Sequence, residues 1–350
     1  MKIRYQISGK SIQFGIGQEH INVDVNNACF YNISFFLNSL SIDAIYLFKK
    51  INNFVFLNLC KSIFHSNKLK INLYIENISE HKKFIISKVF GSSISYKQNK
   101  NLSNINFQLI NYQKKIIKFK YDYSFVFITN TFDLNHFKKH INKFKNHNVE
   151  LIYVINEPPT KQFNFDNLKI IIYNKKNQGD YRFNISKKKN LGIHNVSGRI
   201  VIVVHDRIHL TKKWLEGLHK LNFSFDIYSS KIYSKGCRFL DKVAYSFKSY
   251  IFNKSSHYFL HYNESNVDQY VDGGIIVVNK LSSIKNFFDE RLFWGELEDI
   301  DFIAHSKIDC NLITFDKNNI IFSDFKNHFK LRANVLDFFY KVILRRFLKK

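Results

Sequence analysis

The stretch Arg199–Val204, RIVIVV, is an almost wholly apolar strand that ends abruptly in His205-Asp206-Arg207. Such a run is typical of a strand at the centre of a parallel sheet, where helices cover both faces. Polar residues just past the carboxyl end of a central strand lie where open α/β sheets bind ligands. The stretch therefore predicts an α/β fold and a candidate site. The alternative, left open by the residues alone, is a turn that caps the next helix and exposes Asp206.

Short apolar runs alternate with amphipathic helical stretches on both sides of this strand. Strands are predicted at Ser124–Thr129, Glu150–Ile155 and Leu168–Tyr173, and helices at Leu134–His147, Ser186–His194 and Thr211–Leu221. Both prolines, Pro158 and Pro159, follow the second of these strands, where they can fix a loop. The alternation predicts a domain with a mostly parallel sheet.

A smaller α/β region precedes this domain. Its predicted elements are the strands Ser11–Gly15, Ile21–Val25, Asp43–Phe48 and Lys70–Ile75 and the helix Ile51–Phe64. The basic sequence QKKIIKFKYDY, residues 113–123, is interpreted as a joint between domains. We expect domains at 1–118 and 119–330, followed by a basic amphipathic helix at 331–350, and the length of 350 residues suits about two domains.

The charge of the chain is large but unevenly distributed. The formal net charge is +25, from 53 Lys and Arg against 28 Asp and Glu. Residues 1–120 and 326–350 carry most of the excess, whereas residues 285–325 hold nine acidic and four basic side chains. Binding to a nucleic-acid backbone needs clustered Lys and Arg on one face, and an acidic island opposes it. No recognisable nucleic-acid motif accompanies the charge, so we expect no nucleic-acid partner.

Cysteine usage and hydropathy predict a cytoplasmic location. The four cysteines are far apart and form no CxxC pair, so neither a zinc motif nor a disulfide framework is indicated. The amino terminus lacks the apolar stretch of a signal peptide, and no apolar run is long enough for a transmembrane helix. The segment Val335–Lys350 combines apolar and basic residues at helical spacing. It can lie on an anionic membrane surface, at the inner face of the cytoplasmic membrane, or pack on the domain.

Two further segments have residues suited to chemistry. Residues 293–302, FWGELEDIDF, place four carboxylates within six residues beside Trp294. If Glu298 opens a helix, Asp301 shares its face, and aromatic packing can raise a carboxylate pKa to suit a base. Carboxylates at a helix start are also favoured by the dipole, which is the structural alternative. In residues 271–278, VDGGIIVV, two glycines before a strand permit close approach of a ligand or form a simple turn.

Taken in order, these segments resemble the GT-A nucleotide-sugar glycosyltransferases of the inverting family 2 type. The resemblance covers about residues 121–330 and is specific through the order of five motifs. The matching segments are Lys189-Asn190-Leu191-Gly192 for the RN.G helix, His205-Asp206-Arg207 for the DxD motif, Trp214-Leu215-Glu216 for the W helix, Gly273-Gly274 for the glycines and Glu298-Asp299 for the ED motif. The resemblance implies a Rossmann-like mixed sheet and an enzyme that transfers a sugar from a nucleotide-sugar donor, with a UDP-sugar favoured. The implied acceptor is a glycan or lipid-linked molecule of the bacterial surface, such as capsule or lipooligosaccharide.

The resemblance also implies roles for individual residues. Asp299 would be the general base, and Glu298 would assist it and hold the acceptor with Trp294. The donor would be bound by Asn130, Glu157, Lys189, Asn190, Asp206, Arg207, Gly273 and Gly274. A divalent metal, Mn²⁺ or Mg²⁺, would be held by Asp206, with His205 and His328 as further candidate ligands.

One departure from the family pattern affects the metal. A DxD motif offers two carboxylates, whereas this sequence offers Asp206 between a His and an Arg. Either His205 ligates the metal or Arg207 replaces the metal charge on the phosphates.

The first strands also resemble class I S-adenosylmethionine methyltransferases. Phe14-Gly15-Ile16-Gly17 followed by residues 21–25, INVDV, resembles the first two strands, with Asp24 where the cofactor ribose would be held. The glycine motif is incomplete, which favours a degenerate, non-catalytic domain. An active methyltransferase and a glycan-binding pseudoenzyme are the alternative functions.

Overall fold

The structure is a computed structural model. It describes residues 4–8, 11–16, 19–24, 44–47, 53–66, 70–76, 78–102, 105–113, 117–173, 184–234, 236–238, 241–245, 257–262, 269–282, 287–292 and 297–324. The chain divides into two compact units, one of residues 1–118 with 221–225 and one of residues 119–220 with 226–350.

The first unit contains two separate sheets and two helices among its described residues. Its elements are β1 (Arg4–Ser8), β2 (Ser11–Ile16), β3 (Glu19–Asp24), β4 (Ala44–Leu47), α1 (Asn53–His65), β5 (Lys70–Glu76), α2 (Glu80–Phe90), β6 (Ile94–Leu102) and β7 (Ile105–Gln113). Strands β1, β2 and β3 form an antiparallel sheet, and the second sheet has the order β4-β5-β7-β6. Helix α2 begins where the Ser79 side chain accepts a hydrogen bond from the Lys82 amide, and it ends at Gly91 with a positive φ of 55°.

The first strands correct the methyltransferase resemblance. Strands β2 and β3 pair antiparallel, with Ile12 opposite Val23, across a connection of only two residues. Parallel neighbours need a crossover of a dozen residues or more, so these strands cannot be the first two parallel strands of a methyltransferase. Strands β4 and β5 are parallel, with α1 between them in sequence, and so form a βαβ unit.

The second unit is an α/β domain. Its elements are β8 (Tyr121–Ile128), α3 (Leu134–Phe144), β9 (Val149–Ile155), β10 (Leu168–Ile172), α4 (Ile185–His194), β11 (Gly198–His205), β12 (Ile208–His209), α5 (Lys212–Lys220), β13 (Ile227–Ser234), β14 (Cys237–Arg238), β15 (Val243–Tyr245), β16 (His257–Phe259), β17 (Gln269–Tyr270), β18 (Ile275–Asn279), α6 (Glu298–Ile308) and β19 (Ile313–Ser323). The strands and helices predicted around Arg199–Val204 are confirmed to within a few residues at their ends.

The main sheet is mixed rather than mostly parallel. Its order is β10-β9-β8-β11-β18-β13-β19-β12, with β14 beside β13. Strands β10, β9, β8 and β11 are parallel, but β18 is antiparallel to both β11 and β13. The prediction of a mostly parallel sheet from the alternation is therefore wrong, and the mixed sheet is compatible with a Rossmann-like glycosyltransferase fold. A buried apolar run such as that of β18 has the same composition in either direction, so the sequence does not reveal its orientation.

The antiparallel pairing of β11 with β18 positions the candidate site. Val204 lies opposite Ile275, so the carboxyl end of β11 meets the amino end of β18. The His205 amide donates to the Gly274 carbonyl at 2.9 Å, which extends the ladder by one bond. This register places His205-Asp206-Arg207 beside Gly273-Gly274.

Helix α4 packs closely on the sheet through a glycine. A Cβ atom at Gly192 would lie 2.2 Å from Cγ1 of Val126 and 2.9 Å from Cγ2 of Val154, so only glycine allows this contact. The core around it includes Ile152, Val201 and Val203, all fully buried. The helix is capped by Asn184, whose side chain accepts from the Lys187 amide.

Some predictions lie outside the described residues. These are the C-terminal helix at 331–350, and with it the anionic-membrane contact, and the site residues Trp294 and His328. In the described parts of the chain, no helix has the length and apolar character needed to span a membrane.

Candidate functional site

Gly273-Gly274 joins four segments that are far apart in sequence. The Gly273 amide donates to Oδ2 of Asp299 at 3.0 Å, and its carbonyl accepts from Nζ of Lys189 at 2.9 Å. The Gly274 carbonyl accepts from the amide of His205. Four of the five sequence motifs therefore meet at one point of the second unit.

Lys189 is a buried cation paired with a buried carboxylate. Its Nζ lies 3.1 Å from Oε1 of Glu298 and 4.8 Å from the ring centre of Phe288. Lys189 is 0% exposed and Glu298 is 7% exposed. Because an unpaired buried charge is costly, each of these two residues fixes the other in place. The pair ties α4 to the first turn of α6.

Asp299 is a carboxylate held by two main-chain amides, and its pKa is raised. Its Oδ1 accepts from the Ile300 amide at 2.9 Å, while Oδ2 faces Gly273. Withdrawal from water, and next the charge of Glu298, raise the pKa of Asp299 from 3.8 to about 7, although Lys189 opposes the shift. A carboxylate with a pKa near the working pH transfers protons efficiently.

The chain enters α6 in an uncommon conformation. Leu297, directly before Glu298, has a positive φ of 63°. A branched apolar residue rarely adopts this region, and left-handed backbone costs on the order of 1 kcal/mol. The conformation sets the direction in which the first turn of α6 begins, directly before Glu298 and Asp299.

Arg207 is held between two partners at the end of β11. Its Nη2 lies 3.6 Å from Oδ1 of Asp272, and its Nη1 lies 3.2 Å from Nδ1 of His205. Asp272 also accepts from the Gly274 amide at 2.8 Å, and burial raises the pKa of Asp272 above its usual range. Asp206 is exposed, in the turn between β11 and β12. Asp272 directly precedes the two glycines and was not among the predicted site residues.

The carboxyl ends of β8 and β9 form a second group of polar side chains. Asn130 follows β8, and its main-chain carbonyl accepts from the amides of both Asn156 and Glu157, which follow β9. The side chains of Asn130 and Asn156 are also joined by a hydrogen bond of 2.8 Å. The two predicted donor residues Asn130 and Glu157 therefore lie in adjoining loops.

Lys188 belongs to this second group and was not predicted. Its Nζ donates to the Thr129 carbonyl and, at 2.8 Å, to Oδ1 of Asn156. Burial lowers the pKa of Lys188 to about 8, and the charge of Asp206 acts in the opposite direction. Residues 187–189 are all lysines, so only their positions on α4 distinguish them. A helical step of about 100° turns Lys188 toward the ends of β8 and β9, whereas Lys189 points to Gly273.

The side chain of Asn190 forms hydrogen bonds with the main chain of Phe288. Its amide group donates to the Phe288 carbonyl at 2.8 Å and accepts from the Phe288 amide at 3.0 Å. Asn190 also lines a cavity of about 370 Å³ with His194, Asp301 and His305 among its walls. This cavity does not include Lys189 or Asp299, so the donor-binding role of Asn190 stays a prediction.

The tryptophan of the W helix is part of the core. Trp214 is 1% exposed, and its Nε1 donates to Oγ of Ser230 at 3.0 Å. Its carbonyl accepts from Nδ2 of Asn319, which also donates to the hydroxyl of Tyr228. The motif that resembles the W helix therefore joins α5 to the sheet and does not reach the glycines.

The described residues do not fit a divalent metal by themselves. Divalent ions such as Mg²⁺ prefer carboxylate and carbonyl oxygens. Near the end of β11, Asp206 is exposed, whereas Oδ1 of Asp272 already accepts from the Gly274 amide and lies 3.6 Å from Nη2 of Arg207. Nδ1 of His205 already faces the Arg207 guanidinium. Across the described ranges, no three His, Cys, Asp or Glu side chains are grouped to hold a metal. The predicted metal thus stays a prediction, and no step of the chemistry below is assigned to it.

Comparison with known proteins gives little information on identity. No protein-family model matches the chain, and no curated protein matches it significantly. Among solved structures, the chain is similar to the crystal structure of residues 1–349 of S. aureus TarS, at 15% identity and a TM-score of 0.39, over 58% of this chain and 60% of that one. TarS is a wall teichoic acid glycosyltransferase. A similarity this low decides neither the fold nor the activity of the present chain.

Proposed function

We propose that the chain is an inverting glycosyltransferase that moves a sugar from a nucleotide-diphosphate donor to a bacterial surface glycan. The observation that carries the proposal is the meeting of four distant segments at Gly273-Gly274, with the carboxylate of Asp299 among them at a pKa of about 7. The donor class, with a UDP-sugar favoured, and a glycan or lipid-linked acceptor of capsule or lipooligosaccharide type follow from the motif resemblance.

In the proposed reaction, an acceptor hydroxyl attacks the anomeric carbon as the bond from that carbon to the diphosphate oxygen breaks. Asp299 takes the hydroxyl proton, and the bonding electron pair leaves with the diphosphate. Its raised pKa keeps a substantial fraction of Asp299 ionised at neutral pH while making it basic enough to accept the proton. Base catalysis of this kind contributes about 10²- to 10⁴-fold in rate.

Glu298 acts as a positioning residue in this proposal. Its carboxylate is bound to Lys189, which is bound in turn to the Gly273 carbonyl, while the Gly273 amide holds Asp299. Two neighbouring carboxylates on one helix turn therefore have different environments. One is neutralised by a cation, and the other has a pKa raised by burial and by the charge of the first.

The donor is proposed to bind along the carboxyl ends of β8, β9 and β11. This edge of the parallel strands is where open α/β sheets bind nucleotides. Asn130, Asn156 and the buried Lys188 supply amide groups and a cation there. Asp206 is exposed at the same edge, at the end of β11.

The test is a screen of nucleotide sugars by thermal shift, with and without Mn²⁺ or Mg²⁺, followed by a transfer assay with the donor found. We expect one donor class to raise the Tm, and Asp299→Asn to reduce transfer by about 10²- to 10⁴-fold while leaving donor binding nearly unchanged. Asp301→Asn, which removes one carboxylate from the same helix turn, is the matched control and should retain transfer.

Three outcomes would contradict parts of the proposal. Absence of stabilisation by every sugar nucleotide would argue against a glycosyltransferase. Loss of donor binding in Asp299→Asn would show that this residue binds the donor and that the base lies elsewhere. Donor binding without transfer to any surface glycan would favour the glycan-binding pseudoenzyme.

A further inference from the structure

The end of β11 presents hydrogen-bond donors rather than metal ligands. Nη1 of Arg207 lies 3.2 Å from Nδ1 of His205. A guanidinium has no lone pair to offer and stays protonated, so it donates and Nδ1 of His205 accepts. The imidazole proton is therefore on Nε2, and His205 is fixed as a donor at that atom.

The donor atom of His205 is buried and has no protein partner. Nε2 of His205 is withdrawn from solvent and has no hydrogen-bond acceptor among the described residues. A buried N–H group without an acceptor is destabilising, so a group that supplies an acceptor would be bound favourably. The orientation that creates this unpaired donor is imposed by Arg207, two residues further along the chain.

Cations and carboxylates both lie around His205, and the cation nearest to its ring is Arg207. Because the Arg207 guanidinium can only donate, Nδ1 of His205 carries no proton and the ring is neutral. Glu298 pairs with Lys189, and Asp272 lies 3.6 Å from Arg207. A divalent cation would find the Nδ1 lone pair of His205 already used by the Arg207 guanidinium. An anion would meet a guanidinium and an imidazole N–H.

We propose that this protein holds the diphosphate of its donor through Arg207 and the Nε2–H of His205, without a divalent cation. The inference rests on the proposed function and identifies which groups take the negative charge at that site. Arginine suits the task because its planar fork of donors matches two phosphate oxygens at once. Asp206 is then not a metal ligand but an exposed residue of the turn.

The same groups serve the leaving diphosphate. When the bond from the anomeric carbon to the diphosphate oxygen breaks, the electron pair stays on that oxygen and adds one negative charge. Arg207 and the His205 N–H stabilise this charge without giving up a proton, because the acceptor proton goes to Asp299. Arg207 is positioned for this by Asp272 and by the missing side chain of Gly274, where a Cβ atom would lie 2.5 Å from Nη2.

The test measures binding of UDP by isothermal titration calorimetry, in EDTA and in Mn²⁺ or Mg²⁺, on the full chain. We expect the Kd in EDTA to be within about twofold of the value with metal. Arg207→Lys keeps the charge but not the fork and should weaken UDP binding about 10- to 100-fold in EDTA, the effect of losing charge-assisted hydrogen bonds. His205→Phe, which removes the N–H group, should weaken UDP binding less than Arg207→Lys does. Both substitutions should change the affinity for UMP less than the affinity for UDP.

The matched control is Lys187→Ala, which removes an exposed positive charge from α4 without touching the site. It should bind UDP like the unmodified protein, and circular dichroism with the Tm verifies that each variant folds. If a variant fails to fold, the comparison of EDTA with metal on the unmodified protein remains decisive.

The outcomes separate this inference from the proposed function. Binding of UDP only in the presence of Mn²⁺ or Mg²⁺ would overturn the inference and leave the glycosyltransferase proposal standing. Unchanged affinity in Arg207→Lys would also overturn it. Failure of UDP, UMP and every sugar nucleotide to bind under any condition would overturn the proposed function itself.

Discussion

Replacing Asp299 by Asn should make the protein less stable than the unmodified chain at about pH 4 and more stable at about pH 8. The pKa of Asp299 is raised from 3.8 to about 7 by burial and by Glu298. Between these two pH values the folded state binds more protons than the unfolded state, so stability falls as the pH rises through this window. Above about pH 7 the full penalty of the buried charge is present.

The size of the effect follows from the shift and from the hydrogen bonds. Each unit of pKa corresponds to about 1.4 kcal/mol, so the charged form of Asp299 costs on the order of 4 kcal/mol at pH 8. This is an upper limit, because the side chain keeps some exposed surface and water screens its charge. The Asn amide relieves this penalty but turns an N–H₂ group toward the amide of Gly273 or Ile300, at a cost of about 1–3 kcal/mol. The net gain at pH 8 is then about 1–3 kcal/mol, and the loss at pH 4 is of similar size.

The measurement is urea unfolding at both pH values, followed by tryptophan fluorescence. Trp214 is buried in the second unit and so reports on the part of the chain that contains Asp299. Asp301→Asn is the control, because it also removes one negative charge from the first turn of α6. An equal difference between Asp299→Asn and the unmodified chain at both pH values would show that Asp299 titrates near its ordinary pKa. The assignment of Asp299 as general base would then lose its physical basis.

Three further predictions concern packing and charge. Gly192→Ala places a Cβ atom 2.2 Å from Val126 Cγ1, so α4 must move off the sheet. Urea unfolding should then show a free energy of unfolding lower by about 1–3 kcal/mol. Unchanged stability would contradict the close packing of α4 on the sheet. Gly274→Ala places a Cβ atom against Nη2 of Arg207 and should weaken UDP binding about tenfold by calorimetry, with little loss of Tm. Unchanged affinity would show that the position of Arg207 beside Gly274 does not matter for UDP binding. Because burial lowers the pKa of Lys188 to about 8, its charge disappears as the pH rises from about 7 to 9, and UDP affinity should fall over this range. Lys188→Met should remove that pH dependence, and a variant with the same profile as the unmodified chain would refute it.

The local elements of the second unit could be predicted because short-range patterns determine them. The apolar run of residues 199–204 and the amphipathic spacing of residues 134–147 depend only on neighbours within a few positions, and both give the elements expected. The first strands show the limit of a motif. Glycine spacing suggested a parallel pair, but the two-residue connection after Ile16 permits only a hairpin.

The sequence by itself determined which segments carry chemical groups, and only the tertiary structure decided how these groups face one another. Periodicity does not encode the direction of β18, yet that direction brings Gly273-Gly274 to the end of β11. A run of three lysines also does not show that Lys188 binds Asn156 while Lys189 binds Glu298, because these contacts depend on which segments pack against each face of α4. The motif His205-Asp206-Arg207 is visible in the sequence, but whether it offers lone pairs or protons depends on a contact of 3.2 Å between side chains. Hydrogen-bond direction and burial depend on distances across the fold, and for that reason the proposal of an anion site at this end of β11 rests on the structure and not on the sequence.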